Sequence, residues 1–334
     1  MTTERKIVVL GANSFSGQDF VDLLLEDGGN RVVGVSRSPE RSRAFLRYKL
    51  RTDLSRYRYA QLDMNKDMPG ILDLLDAEKP EWIVNFAAQS EVAPSWDHPE
   101  HWFQTNTVAL ANLVNHLRKR DYVRRYLHVS SPEVYGTCEG VVKEDAPLNP
   151  STPYAASKAS ADLLLETFRK QFKFPLLTVR GTNVYGARQQ LFKIIPRTVI
   201  YLKSGRPIEL HGGGKAVKSY IHIRDISRGE LAILEKGTLG NIYNLSPDRG
   251  IEVREVVRII CERMGKSFEA STRTVEERPG QDRAYVIDST RARRELGWAP
   301  GIGLEEGLGD VASWVEEFWP ELSKHPLNLS LIHI

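Results

Sequence analysis

The sequence predicts an α/β protein in which a doubly wound parallel sheet is followed by a smaller, mixed C-terminal unit. Short apolar runs of strand length recur through the first half of the chain, stretches with helical spacing separate them, and a glycine stands directly after the first run. A chain of 334 residues accommodates about two folding units. We place the boundary near Arg180, giving units 1–180 and 181–330.

Ile7 to Leu10 meets Gly11, and the apolar residues from Phe20 to Leu25 continue with helical spacing, so the opening reads strand, tight turn, helix. Arg31 to Val35, Trp82 to Phe86 and Arg125 to Val129 repeat the strand pattern with helical stretches between them. Near-continuous apolar strands belong to a sheet covered on both faces. Right-handed crossovers place the following loops on one edge, so binding is expected beyond Leu10, Val35, Phe86 and Val129. After Arg180 the rhythm loosens into Gly212, Gly213 and Gly214, a strand-like Lys218 to Ile223, and helical stretches near Arg254 to Met264 and Leu304 to Phe318. Residues 241–246 are expected to return to the main sheet as a late strand.

Lys and Arg total 46 against 43 Asp and Glu, a formal net charge of +3, which points away from nucleic acid. The basic run Arg118, Lys119, Arg120 reads as a solvated helix end. The two cysteines, Cys138 and Cys261, are far apart, which fits a reducing compartment without stapling or structural zinc. His211 and His222 have no ligand spacing, so no metal is expected. The run Ile7 to Leu10 is too short for a signal peptide or a membrane span, and a soluble, cytoplasmic protein is expected.

Gly11, Ala12, Asn13, Ser14, Phe15, Ser16 and Gly17 form a glycine loop between strand and helix, with Ser14 where a middle glycine often stands. The first glycine allows the turn, the last allows close helix-to-strand packing, and the free N–H groups face a pyrophosphate. Two glycines six apart also occur in ordinary turns. The second strand runs into Ser36, Arg37 and Ser38 and lacks the acid that would bond a ribose 2′-hydroxyl. Arg37 suits a 2′-phosphate, so NADP is preferred, with NAD as the alternative. Asp63 is placed to accept from the adenine amino group or to cap the next helix.

Ser151, Thr152 and Pro153 signal a helix start, and Tyr154 and Lys158 then lie one turn apart on one face. A lysine ammonium beside a phenol favours phenolate, which makes the phenol a usable base for a sugar hydroxyl near neutral pH. Ser130 and Ser131, at the end of the preceding strand, are candidates to bond the same substrate oxygen.

These residues resemble the extended short-chain dehydrogenase/reductases that act on nucleotide sugars. The resemblance runs from Gly11 through Asn85–Ser90 (NFAAQS), Val129–Gly136 (VSSPEVYG) and Tyr154–Lys158 (YAASK), then Arg180–Gly186 (RGTNVYG), Arg278–Gly280 (RPG) and Glu295–Pro300 (ELGWAP). It is strongest to the 4,6-dehydratases for dTDP-glucose and GDP-mannose. It implies a Rossmann-like fold and a homodimer formed through helices around Val108 to Arg118 and Tyr154 to Phe172. It further implies that Met64, Ala87, Ala88 and Ser130 join the glycine loop around the dinucleotide, and that a nucleotide-diphosphate hexose is the substrate. Gln89, Asn183, Lys193, Lys218 and Arg278 are the implied substrate contacts.

In such enzymes the tyrosine takes the O4 proton while hydride leaves C4. A dehydratase then uses a carboxylate to remove the C5 proton, water leaves C6, and hydride returns there. Glu133 stands where that carboxylate is needed; its plainer reading is a loop contact. Pro132 replaces the aspartic acid of the dTDP-glucose enzymes, Ser131 a threonine, Glu91 a histidine and Lys218 an arginine. Gln89 and Arg37 lean toward the GDP-mannose type, whereas Arg278 to Asp282 leans toward the dTDP and UDP type. The expected activity is therefore a nucleotide-sugar 4,6-dehydratase using Tyr154, Lys158, Ser131 and Glu133. The alternatives are a 4-epimerase, a nucleotide-hexuronate decarboxylase, or a cofactor-binding protein without turnover.

Overall fold

The computed structural model describes residues 4–137, 140–276 and 286–327. Cys138, the stretch Arg278 to Asp282 and the tail beyond Leu327 lie outside the described residues.

Seven parallel strands build the main sheet: β1 (Arg5–Leu10), β2 (Asn30–Ser36), β3 (Tyr57–Gln61), β4 (Trp82–Asn85), β5 (Arg125–Val129), β6 (Leu176–Gly181) and β7 (Ile242–Leu245), in the order β7-β6-β5-β4-β1-β2-β3. Four of these, β1, β2, β4 and β5, carry the expected apolar runs, and β7 is the expected late strand. β3 escaped because it is an edge strand, YRYAQ, without a buried residue and therefore without an apolar run. β6 is buried along most of its length, but Thr178 and Arg180 interrupt its apolar pattern.

Strand residues alternate between two cores. Ile7, Val9 and Val32 join Phe20, Val21 and Leu24 on one face, whereas Val8, Leu10 and Val33 join Leu110, Leu113 and Leu165 on the other. The first face is covered by α1 (Phe15–Leu24), whose cap Ser14 accepts a bond from Gly17 N–H at 3.1 Å. The other carries α2 (Met68–Glu78), α3 (Leu110–Leu117) and α4 (Pro153–Phe172). Thr152 caps α4 by accepting from Ala155 N–H at 3.1 Å, and Pro153 occupies its first turn.

Past β6 come α5 (Ile194–Lys203), α6 (Ile223–Lys236), α7 (Val253–Arg263) and α8 (Leu304–Glu317). Ile226, Ile233 and Leu234 of α6 bury against the same core as α1, as do Ala292 and Leu296 of the short helix Thr290–Leu296. α5, α7 and α8 enclose a second core around Ile195, Val256, Ile260, Val311 and Trp314. The expected strand-like stretch at Lys218 to Ile223 is split into Val217–Lys218 and Tyr220–His222, each in its own two-stranded pair. No helix among the described residues is long and apolar enough to cross a membrane.

The strand order reverses between β1 and β4, and a crevice opens beyond their carboxyl ends. The site lies there.

Candidate active site

The chain turns out of β1 at Gly11, whose φ of +84° favours glycine. A Cβ there would lie 2.7 Å from Ala87 N, and one at Gly17 would lie 2.2 Å from Gly11 O. Both glycines therefore let backbone approach backbone at the crevice. Asn13 ties the loop to the end of β2: its N–H donates to Ser36 Oγ at 2.9 Å, and its Nδ2 donates to Ser38 Oγ at 2.7 Å and Pro39 O at 2.8 Å. The Asn13 side chain thus shapes the cradle from behind. Arg37 is exposed just beyond β2. The Glu40 carboxylate, three residues on in the chain, is engaged by Tyr48 and Lys49. Asp63 does not cap α2, which starts at Met68; its Oδ1 accepts from Asn65 N–H at 2.8 Å in a local turn, next to buried Met64.

From this loop a cleft of about 380 Å³ runs across the ends of β4, β5 and β6. Ser14, Phe15, Ser16 and Ala88 line it toward the loop, and Ser130, Ser131, Tyr154 and Lys158 line its chemical centre. Asn183 and Lys193 line it from the C-terminal side. Backbone cradle, elongated cleft and buried Tyr–Lys pair together fit a nicotinamide dinucleotide.

Lys158 is 3% exposed and its Nζ donates to Val129 O at 2.8 Å. Burial lowers its pKa to about 8. One turn further along α4 lies Asp162, whose side chain is 7% exposed. Its Oδ2 accepts from Ser130 Oγ at 2.8 Å and from Arg180 Nη2 at 2.7 Å. His128 Nε2 approaches Oδ1 at 3.3 Å without hydrogen-bond alignment. Against the burial that would raise it, His128 and Arg180 hold the Asp162 carboxyl down to about 2. Burial and the neighbouring Lys158 ammonium push His128 down to about 4. The active-site lysine thus stands on a buried, charge-compensated floor.

The expectation that Lys158 makes the Tyr154 phenol acidic is not met. Burial pushes the phenol above its ordinary value and the Glu133 charge adds to this, while the bond with Ser131 opposes them. The physical reason is distance from water: an anion in this pocket loses solvation, and the ammonium is turned to a backbone carbonyl. At rest Tyr154 is a neutral phenol.

Glu133 sits half-buried in a single helical turn, Pro132–Tyr135, whose cap Ser131 accepts from Glu133 N–H at 3.2 Å. It is not among the residues lining the cleft, but its charge acts on Tyr154. Glu91, for which the sequence offered no role, pairs with Lys193 at 2.8 Å, and both line the cleft. A diphosphate reaching Lys193 competes with that carboxylate. Asn183 Nδ2 donates to Ser219 O at 3.3 Å. Gln89 is buried, its backbone N–H and C=O bonded by Asn106 at 2.8 Å and 3.0 Å. Neither Gln89 nor Lys218 is among the residues lining the cleft.

Residues 8–311 match the family of GDP-mannose 4,6 dehydratase. The chain belongs to that family. It is 34% identical over 323 residues to a dTDP-glucose 4,6-dehydratase of Streptomyces griseus, covering 94% of each chain. It is also 34% identical over 269 residues to a trifunctional UDP-glucose 4,6-dehydratase, epimerase and reductase of Arabidopsis thaliana, covering 77% of this chain but 40% of that protein. The solved dTDP-glucose 4,6-dehydratase of Streptomyces venezuelae, with NAD bound, superposes with a TM-score of 0.86 at 30% identity, covering 93% of this chain and 97% of that one.

Within this dehydratase-family fold, several site residues escaped the sequence reading. Asp162 follows Lys158 at four residues, as Lys158 follows Tyr154, so the stripe was visible as spacing. Asn106 was not: it lies on a π-helical turn, Gln104–Ala109, and its Nδ2 also donates to Ser157 Oγ at 2.9 Å, joining the Gln89 loop to α4.

Proposed function

We propose that the protein is a nucleotide-sugar 4,6-dehydratase that converts a nucleotide-diphosphate hexose to its 4-keto-6-deoxy product. The observation that supports the reading is the charge of Glu133, in the turn that Ser131 caps, acting on the buried Tyr154 that bonds Ser131. The bound nicotinamide dinucleotide supplies the hydride acceptor and returns the hydride. With the Lys158 ammonium and the oxidised nicotinamide adding positive charge beside it, Tyr154 first loses its phenol proton to solvent and then, as phenolate, takes the O4 proton, while Ser131 bonds O4. Glu133 removes the C5 proton, which the C4 ketone makes acidic. Pro132 has no proton to give, so the same Glu133 returns its proton to the departing C6 hydroxyl.

Two finer statements belong to this reading. The end of β2 offers Ser36, Arg37 and Ser38 to the adenosine ribose and carries no acid there, so NADP is the cofactor we assign. The α3 and α4 side of the sheet exposes Val108, Leu163 and Phe172, at 46%, 60% and 43%, and we assign it as the face through which two copies pair.

The test is to incubate the protein with a panel of nucleotide hexoses and each dinucleotide. One substrate is expected to lose the mass of one water, faster with NADP than with NAD, from a particle of twice the chain's mass. Inversion at C4 without mass loss on every substrate overturns the dehydratase reading.

A further inference from the structure

The reaction leaves one buried acid of the cleft unused. Glu230 lies on α6, 1% exposed, and lines the cleft together with Ser16, Phe86, Val129, Val179 and Ile226. Its Oε2 is buried without a hydrogen-bond partner. Asp19, on the facing α1, accepts from Ser227 Oγ at 2.7 Å and pairs with Arg224 at 3.3 Å, so it offers Glu230 no donor. Burial, with the Asp19 charge adding to it, keeps the Glu230 carboxyl well above the usual carboxylate range. An unpartnered carboxyl among apolar walls costs stability, and a leucine would fill the same space without that cost.

We propose that the Glu230 carboxyl receives the carboxamide of the nicotinamide ring and fixes the ring's orientation in the cleft. A nicotinamide is an apolar ring with one polar substituent. The wall formed by Phe86, Val129, Val179 and Ile226 is apolar and carries Glu230 as its acid. A neutral carboxyl presents a donor and an acceptor side by side, and a primary carboxamide presents the same pair, so the two groups match in two hydrogen bonds. Ser130 is not the competing partner, because its hydroxyl already donates to Asp162. Which face of the ring meets the sugar depends on rotation about the bond to the ribose, and anchoring the carboxamide removes that freedom. Glu230 is then a positioning residue for the cofactor.

This inference rests on the cleft being a nicotinamide site, and the experiment separates the two. Dissociation constants are measured by calorimetry for the reduced dinucleotide and for ADP-ribose carrying the same 2′-substituent, which lacks the nicotinamide. Glu230→Leu is expected to weaken the dinucleotide about tenfold while leaving ADP-ribose unchanged. Glu230→Gln keeps a donor and an acceptor and is expected to stay within about threefold of the parent for both. The thermal midpoint of Glu230→Leu is expected to equal or exceed the parent's, which shows that the fold is intact. An unchanged ratio of the two constants in Glu230→Leu, through equal weakening or none, overturns the proposal. Failure of the unaltered protein to bind ADP-ribose overturns the dinucleotide reading itself.

Discussion

Glu133→Gln is expected to stop water elimination while leaving oxidation at C4 in place. The amide matches the carboxylate in shape but accepts no proton from C5, and general base catalysis of this kind contributes about 10²- to 10⁴-fold. Formation of the 4-keto-6-deoxy sugar falls by that factor. Reduced nicotinamide accumulates in a single burst, because the 4-keto intermediate has no onward path. Exchange of C5 hydrogen with deuterated water is lost as well. The three signals distinguish the chemistry from a folding defect, since a misfolded site produces no burst. Retained turnover to a C4-inverted product, with no C5 exchange in either protein, makes Glu133 silent and favours the epimerase, whereas retained elimination with retained C5 exchange assigns the base to another group. The Pro132 argument sharpens the expectation: with no second acid beside it, Glu133 carries both the deprotonation and the proton return, so no partial activity is expected from a neighbouring group.

The second large effect belongs to the Tyr154 and Lys158 pair. Tyr154→Phe keeps the buried ring and removes the hydroxyl that meets Ser131. Turnover is expected to fall by about 10²- to 10⁴-fold with little change in KM, and stability to change by about 1 kcal/mol. Lys158 adds a pH dependence whose sign follows from its depressed pKa of about 8. The protonated form supplies the positive charge that the phenolate requires. As pH rises through about 8 that charge is lost, so kcat/KM for the sugar is expected to fall on the alkaline side there. In Lys158→Arg the cation survives to far higher pH, and the alkaline limb moves away with it. A limb that stays near its original pH in that variant assigns the ionisation to another group. The raised phenol pKa matters for the same reason: without added positive charge, Tyr154 donates a proton better than it accepts one.

The candidate site residues were legible because they sit at fixed offsets from recognisable local structure. Gly11 and Gly17 bracket a turn between an apolar run and a helix. Thr152 and Pro153 announce α4, so helical spacing alone puts Tyr154 and Lys158 on one face. What stayed hidden depends on partners distant in the chain. Asp162 gains its meaning from His128 and Arg180 on two other strands, and Asn106 from Gln89 and Ser157. The protonation of Tyr154 is hidden from the sequence for a related reason. Helical spacing places the ammonium near the phenol, but which way the ammonium points and how dry the pocket is are properties of the packed molecule.

The sequence by itself determined the layered architecture, the glycine cradle, the Tyr154–Lys158 face and the carboxylate after β5. Periodicity, capping and turn chemistry act over a few residues and are written in order along the chain. Only the tertiary structure decided that Glu91 neutralises Lys193 and that Asp162 anchors the floor under Lys158. It alone placed Glu230, from α6, in the cleft beside Ser16 at the start of α1. Those relations depend on charge, burial and distance between segments separated by tens to hundreds of residues, which no local pattern encodes.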